Sequence, residues 1–83
     1  MYVRGKEVRI TKSAFEDMVK TGFPEHKVVS TIEEGRITRI GKTEKYYAET
    51  GAGRKIVRVV YVEYPAAIVV ISVNVRGRKG EMF

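Results

Sequence analysis

The segment RKIVRVVYVEY (54–64) and the segment AIVVISVNV (67–75) constrain the chain more than any other part of it. Both are rich in Val and Ile, both fall into apolar alternation, and only PAA (65–67) separates them. Such a pair predicts a β-hairpin near the C-terminus. Arg58 lies in the middle of the first strand, so the alternation must decide which face of the hairpin carries a permanent charge.

Side chains alternate across a strand. One face of the first strand carries Ile56, Arg58, Val60, Val62 and Tyr64; the other carries Val57, Val59, Tyr61 and Glu63. The second strand divides into Ile68, Val70, Ser72, Asn74 and Arg76 against Val69, Ile71, Val73 and Val75. A two-residue loop at Pro65-Ala66 in an unbroken ladder places Arg58 among the four aliphatic residues. Burying a charge there costs several kcal/mol unless it is paired. An odd loop, Pro65-Ala66-Ala67, instead gathers Arg58 with Ser72, Asn74 and Arg76 on an open face. It sets Val57, Val59 and Tyr61 beside Val69, Ile71, Val73 and Val75 in a covered layer. The odd register is the expectation, although three-residue loops favour Gly in the left-handed position and this one offers Ala. A bulge achieves the same sorting.

Upstream, EVRIT (7–11) alternates as a short strand. Ala14 with Met18 and Phe15 with Val19 define the apolar side of a helix over roughly 12–21. SAFE (13–16) fits a capping box, Thr11 is a rival cap, and Gly22 is placed to end the helix. A second helix over roughly 24–34 follows from Pro24 at its start, the Val28, Val29 and Ile32 spacing, and Gly35. RITRI (36–40) and KYYAET (45–50) read as further strands, broken by GK (41–42) and GAG (51–53). The expected fold is α+β: two short N-terminal helices packed on one face of an antiparallel sheet of about four strands. Residues 1–75 form a single domain, and 76–83, RGRKGEMF, form a basic flexible tail.

A chain of 83 residues supports one small core. It has no cysteine, which removes disulfides and thiolate metal sites. The start, MYVRGKEVRI, lacks the apolar stretch of a signal peptide, and no apolar run reaches bilayer length, so a cytoplasmic location is expected. There is no Gln and Asn74 is the only Asn, amid many Lys, Arg and Glu, a balance that leans toward heat adaptation.

The formal net charge is +6. Its placement says more than its size: residues 51–83 hold six basic and two acidic side chains, whereas 23–50 hold five of each. A localised basic excess is the electrostatic footprint of a nucleic-acid or other polyanion partner. The candidate nucleic-acid-binding residues are Arg54, Lys55, Arg58, Asn74 and Arg76, with Arg78 and Lys79 in the tail. Guanidinium groups pair with phosphate and an amide can read a base edge. The bland alternative is a solvated sheet face with arginines lying over aliphatic neighbours.

Other constellations fail. GRITRIGKT (35–43) resembles a phosphate-binding loop, but five residues intervene where four are needed, and a helix precedes where a strand should. His26 is the only histidine and has no spaced co-ligand, so neither a metal nor a cofactor is expected. Tyr46 and Tyr47 point to opposite faces, so at most one serves the open side.

The order strand, helix pair, antiparallel meander resembles the small domains of the RelE/BrnT ribonuclease toxin superfamily, especially a short branch whose helix opens with T-K-H-A. ITKSAFEDMVKTGFPEHKVVSTIEEGRI (10–37) matches the helix pair and KIVRVVYVEYPAAIVVISVNV (55–75) the terminal hairpin, a pattern of apolar spacing rather than a motif. The resemblance implies metal-independent RNA cleavage and an antitoxin partner. That branch often has His where this chain has Ser13, and Ser cannot serve unaided as an acid or base near neutral pH. Such toxins can also rely on Arg and Lys to stabilise charge on phosphorus, so the resemblance implies Arg58 and Arg76 as catalytic residues if the chain is a nuclease. Three functions follow as expectations: a small basic nucleic-acid-binding protein acting on DNA or RNA, a toxin-type ribonuclease, and a protein-interaction module or homodimer that uses Val60, Val62, Ile68 and Val70.

Overall fold

The computed structural model describes residues 1–77. Within them the chain runs β1 (Tyr2–Val3), β2 (Lys6–Ile10), α1 (Lys12–Thr21), α2 (Glu25–Glu34), β3 (Arg36–Arg39), β4 (Lys45–Ala52), β5 (Lys55–Glu63) and β6 (Ala67–Gly77). One sheet holds six strands in the order β1-β2-β6-β5-β4-β3. The fold is α+β, but the expected antiparallel sheet of about four strands is wrong in number and in pairing. β1 is too short to show alternation. β2 lies parallel to β6, with Val8 beside Ile68 and Ile10 beside Val70, while the other pairs are antiparallel. A parallel partner needs a long crossover, and the helices and β3–β5 supply it. Arg76 and Gly77 belong to β6; Arg78 and Lys79 lie outside the described residues.

Local signals explain the helix ends. Thr11, not Ser13, caps α1: its hydroxyl accepts from the Ala14 N–H at 3.2 Å and donates to the Val70 carbonyl at 3.0 Å. Gly22 ends the helix at φ 69°, a left-handed conformation that costs glycine little. Pro24 caps α2 from an extended conformation. Both helices lie on one side of the sheet, α1 over β6 and α2 over β4 and β5. Ala14 and Met18 from α1 and Val28 and Ile32 from α2 meet Ala48, Val57, Val59, Tyr61, Ile68, Val70 and Val73 from the strands.

The β5–β6 hairpin corrects the expected register. Its loop is the two-residue Pro65-Ala66, closed by the Tyr64 N–H donating to the Ala67 carbonyl at 2.8 Å. Near the loop, Glu63 faces Ile68 and Tyr61 faces Val70; past an irregularity, Val60 faces Ser72, Val59 faces Val73 and Arg58 faces Asn74. Ile71 is the extra residue of a β-bulge. Without it, Val59 would face Ser72 and Arg58 would face Val73. The covered row of β6 is therefore Ile68, Val70, Val73 and the partly buried Val75, not Val69, Ile71, Val73 and Val75, because parity changes at the bulge.

Beyond Val70, β6 outruns β2, and α1 takes over the edge. The Asp17 carboxylate accepts from the Val73 N–H at 3.0 Å, and the Thr11 N–H donates to the Val70 carbonyl at 3.1 Å. At the loop end of β5, Glu63 receives Lys6 at 2.7 Å and Arg4 at 3.1 Å, which ties the β1–β2 hairpin to β5. The Glu63 carboxyl is held below its ordinary pKa of 4.5, chiefly by the hydrogen bond from Lys6; partial burial opposes the shift and the Arg4 charge adds to it. Burial also raises the pKa of the Tyr61 phenol, whose buried oxygen makes no hydrogen bond of good geometry, while nearby Arg4 opposes the rise.

Two outcomes follow. Asp17→Ala leaves the Val73 N–H without its partner and should cost about 1–3 kcal/mol in urea unfolding; a loss within error would show that water replaces the carboxylate. A folded-state pKa below the unfolded value gives stability that is complete above the unfolded pKa and disappears as pH falls through the folded one. Lys6→Met should therefore flatten the loss of stability below about pH 4.5, because the largest cause of the Glu63 shift is gone.

Candidate functional site

The face of the sheet opposite the helices is uncovered among the described residues. Alternation sets its contents. β4 contributes Lys45, Tyr47 and Glu49, β5 contributes Ile56, Arg58, Val60 and Val62, and β6 contributes Val69, Ser72, Asn74 and Arg76. Tyr46 takes the covered side and stacks on Tyr61 with ring centroids 5.7 Å apart. Ile68 and Val70, expected on the open face, are fully buried beneath the helices. Their loss removes half of the apolar set assigned to a sheet-face protein interface; Val60 and Val62 remain there, joined by Val69.

Arg58 sits at the centre of the polar end. Its Nε donates to Glu49 Oε2 at 2.9 Å and its Nη2 approaches the same oxygen at 2.8 Å. Its guanidinium carbon stands 4.2 Å from the centroid of the Tyr47 ring. Cross-strand register produces this arrangement: Glu49 is directly opposite Arg58, and Tyr47 opposite Val60 is the next residue along the same face. Arg76 reaches Glu49 Oε2 from the far side at 3.5 Å. One carboxylate oxygen thus lies between two guanidinium groups, and the aromatic ring presses one of them into place. Arg58 is half-buried, whereas Arg76 and Asn74 are exposed. Arg58, Asn74, Val75 and Arg76 together line a shallow depression.

The remaining candidates fall at the same end. Arg54 belongs to the β4–β5 turn, where Gly53 has φ 64°, and Lys55 opens β5. Lys55 pairs with Gly77 and Ile56 with Arg76, which brings the turn beside the end of β6. Arg36, not singled out by the sequence, pairs with Glu49 across β3–β4 and adds another exposed cation. Arg58 and Arg76 contact Glu49 and Arg36 lies directly opposite it, while Arg54 and Lys55 are exposed at the adjoining end of the hairpin. Glu49 was also missed. Only the β4–β5 register reveals it, since nine residues separate it from Arg58.

Several other features find plain structural roles. GRITRIGKT (35–43) spans a helix stop, strand β3 and a turn, the reverse of a phosphate loop. His26 is exposed in the first turn of α2. Among the described residues, no cluster of three His, Cys, Asp or Glu side chains could hold a metal ion. No helix among them is long and apolar enough to cross a membrane. No protein-family model, no curated protein and no solved structure matches the chain.

The Arg58–Glu49 pair is partly solvated, with side-chain exposures of 32% and 23%. Such pairs contribute at most about 1 kcal/mol. Arg58→Met should therefore shift the urea midpoint little. A loss of several kcal/mol would make Arg58 part of the fold's support rather than a residue available to a ligand.

Proposed function

We propose that the protein binds nucleic acid through the cationic end of its open sheet face. The observation that carries the reading is the grouping of Arg36, Arg58 and Arg76 around the single Glu49 carboxylate on an uncovered surface, with Arg54 and Lys55 exposed at the adjoining end. Phosphate contacts supply sequence-independent affinity, and several cations a few residues apart on adjacent strands suit a backbone lying across them. The stack of Arg58 on Tyr47 presents the outer plane of a guanidinium, on which an unpaired base can stack. Asn74 beside Arg58 offers both a donor and an acceptor to a base edge. Glu49 competes with phosphate for the guanidinium groups and holds them in place until a ligand arrives. Unpaired bases make single-stranded RNA or DNA the better fit to a stacking platform.

Metal-independent RNA cleavage at the same place is a second reading, favoured by Glu49 itself. A carboxylate is a candidate base for a ribose 2′-hydroxyl, and Arg58 and Arg76 on either side of it are placed to stabilise the extra negative charge of a pentavalent phosphorus. The reading supplies the acid–base group that Ser13 cannot.

Fluorescence anisotropy with labelled single-stranded RNA and DNA separates these outcomes. Wild-type affinity should fall steeply between low and moderate salt. Arg58→Ala and Arg76→Ala should each weaken binding and lower the salt slope by about 1. Glu49→Gln should tighten binding, because a competing anion is gone. If the RNA is also cleaved, Glu49→Gln should bind it and leave it intact. Absence of binding at low salt, or binding indifferent to both arginine substitutions, overturns the proposal.

A further inference from the structure

α1 carries a second apolar surface that the fold does not use. Phe15 and Val19, four residues apart, are 58% and 67% exposed although the inner face of the same helix packs Ala14 and Met18 into the core. Two shallow grooves meet on this pair. One runs along Met18, Phe23 and Pro24 toward the start of α2, and the other is bordered by Glu16 and Lys20. The surface lies on the helix layer, on the side of the sheet opposite the open face.

We propose that this face is the contact between two copies of the chain, with α1 packed antiparallel on α1 of the partner. The charges flanking the apolar pair are the reason for choosing a second copy. Glu16 and Lys20 are four apart, about 6 Å along the helix, and border one groove on the same flank of the Phe15–Val19 pair. A two-fold axis perpendicular to the helices, passing between the two copies at the height midway from Glu16 to Lys20, reverses the direction of the helix but keeps that flank on the same side. Glu16 then faces the second copy's Lys20, and Lys20 its Glu16. The same axis sets Phe15 against the second copy's Val19 and Val19 against its Phe15, because the midpoints of the two pairs differ by one residue. A single surface that is self-complementary in both shape and charge is the requirement of an isologous interface. Phe supplies the aromatic anchor that such interfaces favour. The area of one helix pair is small, so the association is weak, in the class that buries less than about 1,200 Å². Both open sheet faces remain uncovered in this dimer.

Sedimentation equilibrium over roughly 10 μM to 1 mM protein, a range suited to weak association, tests the proposal. The wild type should shift toward dimer across that range, and Val19→Glu should be monomeric throughout. Glu16→Lys and Lys20→Glu alone should each lower the dimer fraction at least several-fold. The double variant, which restores opposite charges across the interface, should recover it. Circular dichroism of each variant checks that α1 stays folded. A wild type that remains monomeric at the highest concentration overturns the proposal and assigns the face to another partner. A dimer indifferent to Val19→Glu overturns it too, since the contact then lies elsewhere. So does a double variant no better than the single ones.

Discussion

The bulge at Ile71 is the feature on which the rest of the molecule depends. A two-residue loop closes the β5–β6 hairpin, and in an unbroken ladder that loop sets Arg58 opposite Val73. One extra residue restores the pairing of Val59 with Val73 and of Arg58 with Asn74. On one side of it the core keeps Ile68 and Val70; on the other it keeps Val73, and the polar residues of β6 stay in solvent. The cost of the alternative is large, because Ser72 and Asn74 would lie under the helices without partners. The bulge also falls where β6 parts from β2, so the ladder is disturbed near a point where one of its pairings already ends.

The open face inherits its chemistry from that sorting. A sheet covered on one side exposes a row of alternate residues on the other, and here the row ends in arginines with a glutamate among them. Glu49 changes what those arginines are. Without it Arg58 and Arg76 repel each other; with it they are held close while remaining partly solvated. A pair so exposed contributes little to stability, and its guanidinium groups can exchange one anion for another at small cost. The far end of the sheet is different in kind: Glu63 joins Arg4 and Lys6 of the β1–β2 hairpin to β5.

Much of this was legible from residue order, and the failures have physical causes. Helices over 12–21 and near 24–34, and the four C-terminal strands, follow from period, Gly and Pro. The helix cap moved from Ser13 to Thr11 because Thr11 also bonds Val70, a residue distant in sequence. The number of strands was underestimated because two-residue β1 carries no periodic signal and because EVRIT (7–11), read as a strand, joins the same sheet through its pairing with distant β6. The parallel pairing of β2 with β6 joins segments about sixty residues apart, which no local pattern encodes. Among the site residues, Arg58, Asn74 and Arg76 do gather on one face, whereas Glu49 and Arg36 enter the site only through the register of β3 and β4.

Local sequence alone determined both helices and every strand but β1, and that one row of the terminal hairpin must be apolar and the other charged. These are properties of period and hydrophobicity, which act over a few residues. Tertiary structure decided where parity breaks, which strand lies parallel, and which carboxylate meets Arg58. Each of those depends on competition among alternative pairings of the whole chain, and that competition is settled by how well the complete core excludes water.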